Sequence, residues 1–161
     1  MRDNNISHIE IRKANHHDIP QICDLLAGLF LIEADFSADQ NKQARGVHLL
    51  LEDKDRSLVL VASIRNEVIG MCTVQTLIST SEGGPVGLVE DVVVRNDYRC
   101  KGVGTELLIK IFTWCKEKGM TRVQLLADRD NHEALDFYAS HGWTFTNLIC
   151  MRIFTSIKGA H

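Results

Sequence analysis

Proline is scarce, 2 in 161 residues, and glycine contributes only 11, so a collagen-like or low-complexity chain is excluded. Positive charge is not in excess either. The formal net charge is −3, with 18 basic residues against 21 acidic ones, whereas a duplex-DNA binder usually carries a basic surplus. Nucleic acid is therefore not an expected partner. No apolar run approaches the roughly 20 residues that cross a bilayer, and residues 1–7 lack the apolar core of a signal peptide. A soluble, cytoplasmic protein without a membrane partner is expected. The 5 cysteines, Cys23, Cys72, Cys100, Cys115 and Cys150, form no CxxC pair, so they read as free thiols. The 7 histidines show no HExxH motif and no paired spacing, so no metal is expected.

What is present is ordinary for a globular protein: 45% hydrophobic and 24% charged residues. The length fits one domain, expected over residues 8–157 with tails at 1–7 and 158–161.

Hydrophobic spacing gives the elements. Residues 8–13 alternate and read as a strand. Asp18-Ile19-Pro20 opens a helix whose apolar face carries Ile19, Ile22, Leu25, Leu26, Leu29 and Phe30. A second helix places Val47, Leu50 and Leu51 inward. Segments 57–64 and 68–76 are rich in β-branched residues and flank the turn Arg65-Asn66-Glu67, so they form a hairpin. Glu82-Gly83-Gly84-Pro85 is another turn. Segment 88–94 is apolar on both faces and reads as a central strand. A helix over 102–118 ends at Gly119, a strand covers 122–127, and a short helix covers 131–140. Residues 143–145 and 148–154 read as two closing strands.

The most informative stretch joins the central strand to the third helix through Arg99-Cys100-Lys101-Gly102-Val103-Gly104-Thr105. A helix start carries unpaired N–H groups and partial positive charge. Glycines let an anion approach the backbone, and Arg99 and Lys101 add cationic donors. This describes an anion site at a helix N-terminus. It is not a Walker loop, since GxxxxGK[ST] is missing, nor a Rossmann loop, since Leu107 stands where the third glycine belongs.

Arg99-x-x-Gly102-x-Gly104 resembles the [Q/R]-x-x-G-x-[G/A] signature of the GNAT superfamily of acetyl-CoA-dependent N-acetyltransferases. Asn131-x-x-Ala134-x-x-Phe137-Tyr138-x-x-x-Gly142-Trp143 is similar to its second cofactor-side motif. Ile11-Arg12-x-Ala14-x-x-x-Asp18-Ile19 is similar to its usual opening. The resemblance implies an α/β (α+β) GNAT fold, with a mixed, mostly antiparallel central sheet of about seven strands flanked by helices. The element order would be β-α-α-β-β-β-α-β-α-β-β.

The same resemblance implies roles. Val92, Val93 and Val94 would line the pantetheine arm of acetyl-CoA, with main-chain groups of Val92 and Val94 pairing with its amides. Backbone N–H groups from Arg99, Cys100, Lys101, Gly102, Val103, Gly104 and Thr105 would hold the pyrophosphate. Asn131 would bond the arm and Tyr138 would face the thioester sulfur. A homodimer formed near the C-terminus is also compatible with it.

Chemistry then selects the catalytic groups. A lysine-like amine has a pKa of about 10.4, so freeing it at neutral pH costs about 4–5 kcal/mol. Glu90 lies in an otherwise apolar strand, where desolvation would raise its pKa toward that of a useful base. By strand parity it shares a face with Val92 unless a bulge intervenes, and Asp91, on the opposite face, is its rival. A phenol stays protonated at neutral pH, which fits Tyr138 as proton donor to the departing thiolate. Cys100, between two cations, is a candidate acetyl carrier, although a spectator thiol is the favoured reading.

Glu33 and Asp35, with Asp39 nearby, cluster where the family builds its acceptor pocket and would either attract a cationic amine or form a solvated acidic loop, the commoner case. The expected activity is acetyl transfer from acetyl-CoA to a primary amine of a small molecule by direct attack. A protein or peptide amine, or a non-catalytic CoA-binding module, are the alternatives.

Overall fold

A computed structural model describes residues 9–31 and 39–155. The chain forms two compact units, Met1–Leu125 and Leu126–His161.

The first unit is built on a five-stranded sheet in the order β1-β2-β3-β4-β5, formed by β1 (Glu10–Lys13), β2 (Ser57–Ile64), β3 (Glu67–Ser79), β4 (Gly84–Val94) and β5 (Val123–Leu125). All neighbours are antiparallel except β4 and β5, which run parallel. Parallel neighbours need a crossover, and α3 (Val103–Glu117) supplies it. Between β1 and β2 lie a 3-10 turn (His16–Asp18), α1 (Ile19–Phe30) and α2 (Gln40–Glu52), and a second 3-10 turn (Asn96–Tyr98) follows β4.

Local chemistry explains the joints. Arg65 and Asn66 both have positive φ, 48° and 72°, as a two-residue hairpin with a primed turn requires. The strands β3 and β4 run further toward their shared turn than hydrophobicity suggested. Ser79 pairs with Gly84 and Ile78 with Pro85, so polar and glycine positions continue a ladder already nucleated beside them. At the entrance to α1, Arg12 grips both oxygens of the buried Asp18 at 2.7 and 2.8 Å. Asp18 also accepts the Asn15 N–H, while the Asn15 side chain accepts that of His17, completing a capping box.

The core has two layers. On one face Ile22, Leu26, Val47 and Leu51 of α1 and α2 pack against Val59, Val61, Met71 and Val93. On the other, α3 buries Leu107, Leu108, Ile111 and Cys115. A methyl group at Gly87 would come within 3.2 Å of Cys115 Sγ, which shows how closely α3 lies on β4. Gly119, with φ of 71°, ends α3 in a Schellman motif: Met120 N–H bonds Cys115 O and Gly119 N–H bonds Lys116 O.

The second unit contains α4 (His132–Ser140). The two closing strands expected at 143–145 and 148–154 are not strands among the described residues, so the sheet has five strands instead of seven. Alternation at Ile149, Met151 and Ile153 is a strand-like pattern, but a strand exists only where a neighbour completes its hydrogen bonds. Among the described residues, 144–155 have no ladder partner, and they are exposed throughout. Among the described residues no helix is long and apolar enough to cross a membrane.

Candidate active site

The first unit gathers its chemistry at the C-terminal end of β4. Along β3, Cys72 pairs with Val92 and Val74 pairs with Val89, so Glu90 and Asp91 together oppose the single residue Thr73. That is a β-bulge. It explains why Gly87 faces α3 while Val93 packs under α1 and α2, although an even number of residues along a regular strand would put them on one face.

The bulge corrects the parity argument for the two carboxylates. Glu90 Oε2 accepts a hydrogen bond from Gln75 Nε2 at 3.0 Å. Asp91 Oδ2 accepts one from Thr73 Oγ1 at 3.2 Å, and its N–H bonds the same oxygen at 3.2 Å. Thr73 and Gln75 are two apart on β3, so both carboxylates address one face instead of opposite faces. Glu90 and Val92 no longer share parity. Glu90 is also exposed, where an apolar strand suggested desolvation, while Asp91 is half-buried.

Beyond Val89 the sheet opens. The pairing of β4 with β5 covers only Gly87, Leu88 and Val89. Among the described residues no strand lies beside Val92, Val93 and Val94 on that edge. Main-chain groups at such an edge can take an extended, amide-bearing ligand as an added strand.

The loop that follows is shaped for a helix start. Cys100 and Gly102 have positive φ, 55° and 83°. A Cβ at Gly102 would meet nothing within 4 Å, so glycine is needed there for its backbone conformation, not for clearance. Gly102 is the N-cap of α3, and the helix begins without a side-chain cap. By helix geometry the N–H groups of Val103, Gly104 and Thr105 point out of this end. Arg99 Nε donates to Val94 O at 3.1 Å, tying the loop to the end of β4. Lys101 Nζ lies 5.2 Å from the Tyr98 ring centre, and the Arg95 guanidinium lies 4.7 Å from it. Arg95 also pairs with Asp97 and Glu67, which hold its guanidinium firmly protonated. The Cys100 thiol is exposed.

A cleft of about 330 Å³ adjoins this loop, walled by Asp24, Gly28 and Leu29 of α1, by Val93 and Val94, and by Arg95, Asn96 and Arg99. Its size is at the small end of ligand sites. Asp24 and Gly28 escaped the sequence reading. The only signal was a carboxylate one helical turn before a glycine on the polar side of an amphipathic helix. Among the described residues Asp24 makes no ion pair.

In the second unit, α4 is defined at both ends by the residues of the second motif. Asn131 is its N-cap, with Oδ1 accepting the Ala134 N–H at 3.1 Å. Gly142, with φ of 84°, ends it: Trp143 N–H bonds Tyr138 O and Gly142 N–H bonds Ala139 O. This is again a Schellman motif, whose usual apolar contact is here the edge-on pair of Tyr138 and Trp143, with ring centres 5.8 Å apart. Phe137 adds a second edge contact to Tyr138 at 5.4 Å. The phenol ring is thus oriented by the turn that stops its own helix.

The first unit therefore carries Val92, Val93 and Val94 at the end of β4 that leads into residues 99–105, with Glu90 further back on the same strand beside Gln75, and the second holds Tyr138 on α4 and Asn131 at its N-cap. Glu33 and Asp35 lie outside the described residues. Asp39 caps α2 by accepting the Lys42 N–H at 3.1 Å.

The model of the acetyltransferase (GNAT) family matches residues 19–143, running through both units. An uncharacterized N-acetyltransferase of Archaeoglobus fulgidus is 26% identical over 133 residues, which is 82% of this chain and 90% of that one. Among solved structures, a transcriptional regulator from Bacillus halodurans C-125 is similar with a TM-score of 0.80 and 24% identity, covering 91% of this chain and 100% of the other. An aminoglycoside N-acetyltransferase in complex with CoA is similar with a TM-score of 0.80 and 17% identity, covering 95% and 99%. At such identities the structural likeness speaks for the fold.

Proposed function

The chain belongs to the acetyltransferase (GNAT) family, and on that footing we propose that it carries the acetyl group of acetyl-CoA to a primary amine of a small molecule by direct attack. One observation carries the donor: the start of α3, without a side-chain cap, follows the loop after Val92–Val94, a stretch of β4 beside which, among the described residues, β5 no longer pairs. A diphosphate followed by an extended arm with two amides suits that succession.

Bound acetyl-CoA supplies a thioester carbonyl open to attack by an amine. Residues 99–105 hold the diphosphate through main-chain N–H groups, with Arg99 and Lys101 adding positive charge. Val92 and Val94 hydrogen-bond the arm. Asn131 spends its carboxamide oxygen on the helix cap, which leaves its NH2 group to donate to a carbonyl.

Glu90 receives the proton of the incoming ammonium. Its exposure favours a path through water over direct contact, and accepting the proton recovers part of the roughly 4–5 kcal/mol that deprotonation costs. Tyr138 carries a phenol, a group protonated at neutral pH, and delivers a proton to the departing sulfur. For Tyr138 the support is the motif and its fixed ring.

A cationic acceptor is favoured by Asp24 on the cleft wall, and the acidic residues Glu33 and Asp35 would attract the same kind of amine. The aminoglycoside acetyltransferase among the similar structures supports a polyamine-like or aminoglycoside-like class.

The test is a thiol-release screen with saturating acetyl-CoA across polyamines, aminoglycosides, amino acids and peptides. Release of CoA thiol with a small amine is the expected result. Release only with peptides overturns the acceptor class, and no release with any amine overturns turnover itself.

A further inference from the structure

Three chemistry-bearing side chains, none of which lines the cleft, converge on the first unit. His48 and Glu52 stand four residues apart in α2, so they share one face of the helix. His16, 32 residues upstream, reaches the same spot from the 3-10 turn before α1. One ligand atom from each of the three side chains lies within 4.8 Å of the others.

We propose that His16, His48 and Glu52 form a binding site for a divalent transition-metal ion of the zinc class, clamping the turn before α1 to the last part of α2.

The distances fit that chemistry. Zinc binds imidazole nitrogen at about 2.0–2.1 Å and carboxylate oxygen at about 2.0–2.2 Å, usually with tetrahedral geometry. Two nitrogens on such a tetrahedron are about 3.3 Å apart by simple trigonometry from those bond lengths. The facing Nδ1 atoms of His16 and His48 are 3.3 Å apart. The rings are tilted by 53° with centres 5.0 Å apart, so they meet at their nitrogen edges and do not stack. The Glu52 carboxylate lies 3.1 Å from His16 Nε2, the ring nitrogen that does not face His48, and becomes the third ligand by swinging toward the shared Nδ1 edge, one helical turn from His48 on the same face of α2. Two imidazoles and a carboxylate leave the fourth position to water, a donor set suited to zinc and neighbouring ions.

The supports are rigid, which is what a site needs if binding is not to cost ordering entropy. The His16 backbone sits inside the capping box of Asn15 and Asp18, itself fastened by the bidentate Arg12. His48 and Glu52 sit in the C-terminal half of α2, where the helix dipole favours a cation. All three side chains are exposed, so an ion can enter without opening the fold. The sequence alone could not show the trio, because its third member comes from a separate element.

The test uses the full chain, freed of metal with a chelator and titrated with cobalt(II) and, in parallel, zinc chloride. Expected are one ion per chain, a cobalt absorption spectrum of nitrogen and oxygen ligation, and a raised thermal midpoint with zinc. His16→Ala, His48→Ala and Glu52→Gln should each weaken binding by at least about 10-fold, since even outer-shell partners cost 10–100-fold. His132→Ala should leave binding unchanged. Thiolate-to-cobalt charge-transfer absorption that disappears in a Cys100→Ser, Cys150→Ser double variant would place the ion on the exposed cysteines and overturn the proposal. So would affinity untouched by His16→Ala and His48→Ala, or no binding at all. Circular dichroism of each variant confirms that lost binding is not lost fold. Acetyl transfer is not part of the readout, so the site stands or falls separately from the proposed function.

Discussion

Tyr138 illustrates how a single residue is fixed by backbone chemistry. Its carbonyl accepts the bond that closes the Schellman turn, and its ring lies against the tryptophan that donates it. Tyr138→Phe keeps that packing and deletes only the hydroxyl. It should lower kcat by about 10²-fold or more, the usual range for a general acid, with little change in the KM for acetyl-CoA. Steady-state kinetics checks this, and an unchanged kcat removes Tyr138 from proton transfer. Asp18 makes a different kind of prediction. The hydrogen bonds from Arg12, against the cost of burial, and then that from Asn15, hold its carboxyl below the ordinary carboxylate range. A depressed folded pKa adds stability that is present above the unfolded value of about 3.9 and disappears as the pH falls through the folded value. Urea unfolding of Asp18→Asn against the parent chain should therefore show a stability gap at pH 6 that narrows on acidification. A gap independent of pH would contradict the ion pair. At this scale Arg99 was only half legible: its charge beside the loop was plain, but the bond to Val94 O depends on where β4 ends in space.

At the scale of elements, α4 shows a motif explained by its two ends. Asn131 serves as cap and is proposed as a donor to the arm of acetyl-CoA, and two variants separate the duties. Asn131→Asp retains an N-cap oxygen, whereas Asn131→Ala loses it at a cost of about 1 kcal/mol. Both should raise the KM for acetyl-CoA, but only Asn131→Ala should lower the thermal midpoint. Equal effects of both variants on stability would argue that the side chain is more than a cap. The β4 bulge marks the limit of reading elements from pattern. The segment Val89-Glu90-Asp91-Val92-Val93-Val94 is apolar apart from its two adjacent carboxylates, and period-two spacing carries no mark of an inserted residue. Only the register against β3 reveals that Glu90 and Asp91 share one opposing position. Helix boundaries were more legible, because Pro20, Gly119 and Gly142 act locally through φ and the missing proline N–H.

For the whole molecule, the mixed sheet with helices on both faces was readable from the order of the elements, and the loop at Gly102 was readable from its residue types. The count of strands was not. A strand pattern at 148–154 states a propensity, while a strand also needs an edge to pair with, and sequence does not say which edge is open. The same reason hid the open edge beside Val92 and Val94, since it depends on β5 stopping after Leu125. This edge and the start of α3 are together proposed to receive coenzyme A. The most direct test is a titration of the isotopically labelled protein with coenzyme A, followed by two-dimensional amide NMR. The predicted result is saturation at one ligand per chain, with the largest shifts at the N–H groups of Val103, Gly104 and Thr105 and further shifts at Val92 and Val94. Saturation that leaves those amides unmoved, or a spectrum unchanged at any concentration of coenzyme A, would contradict it.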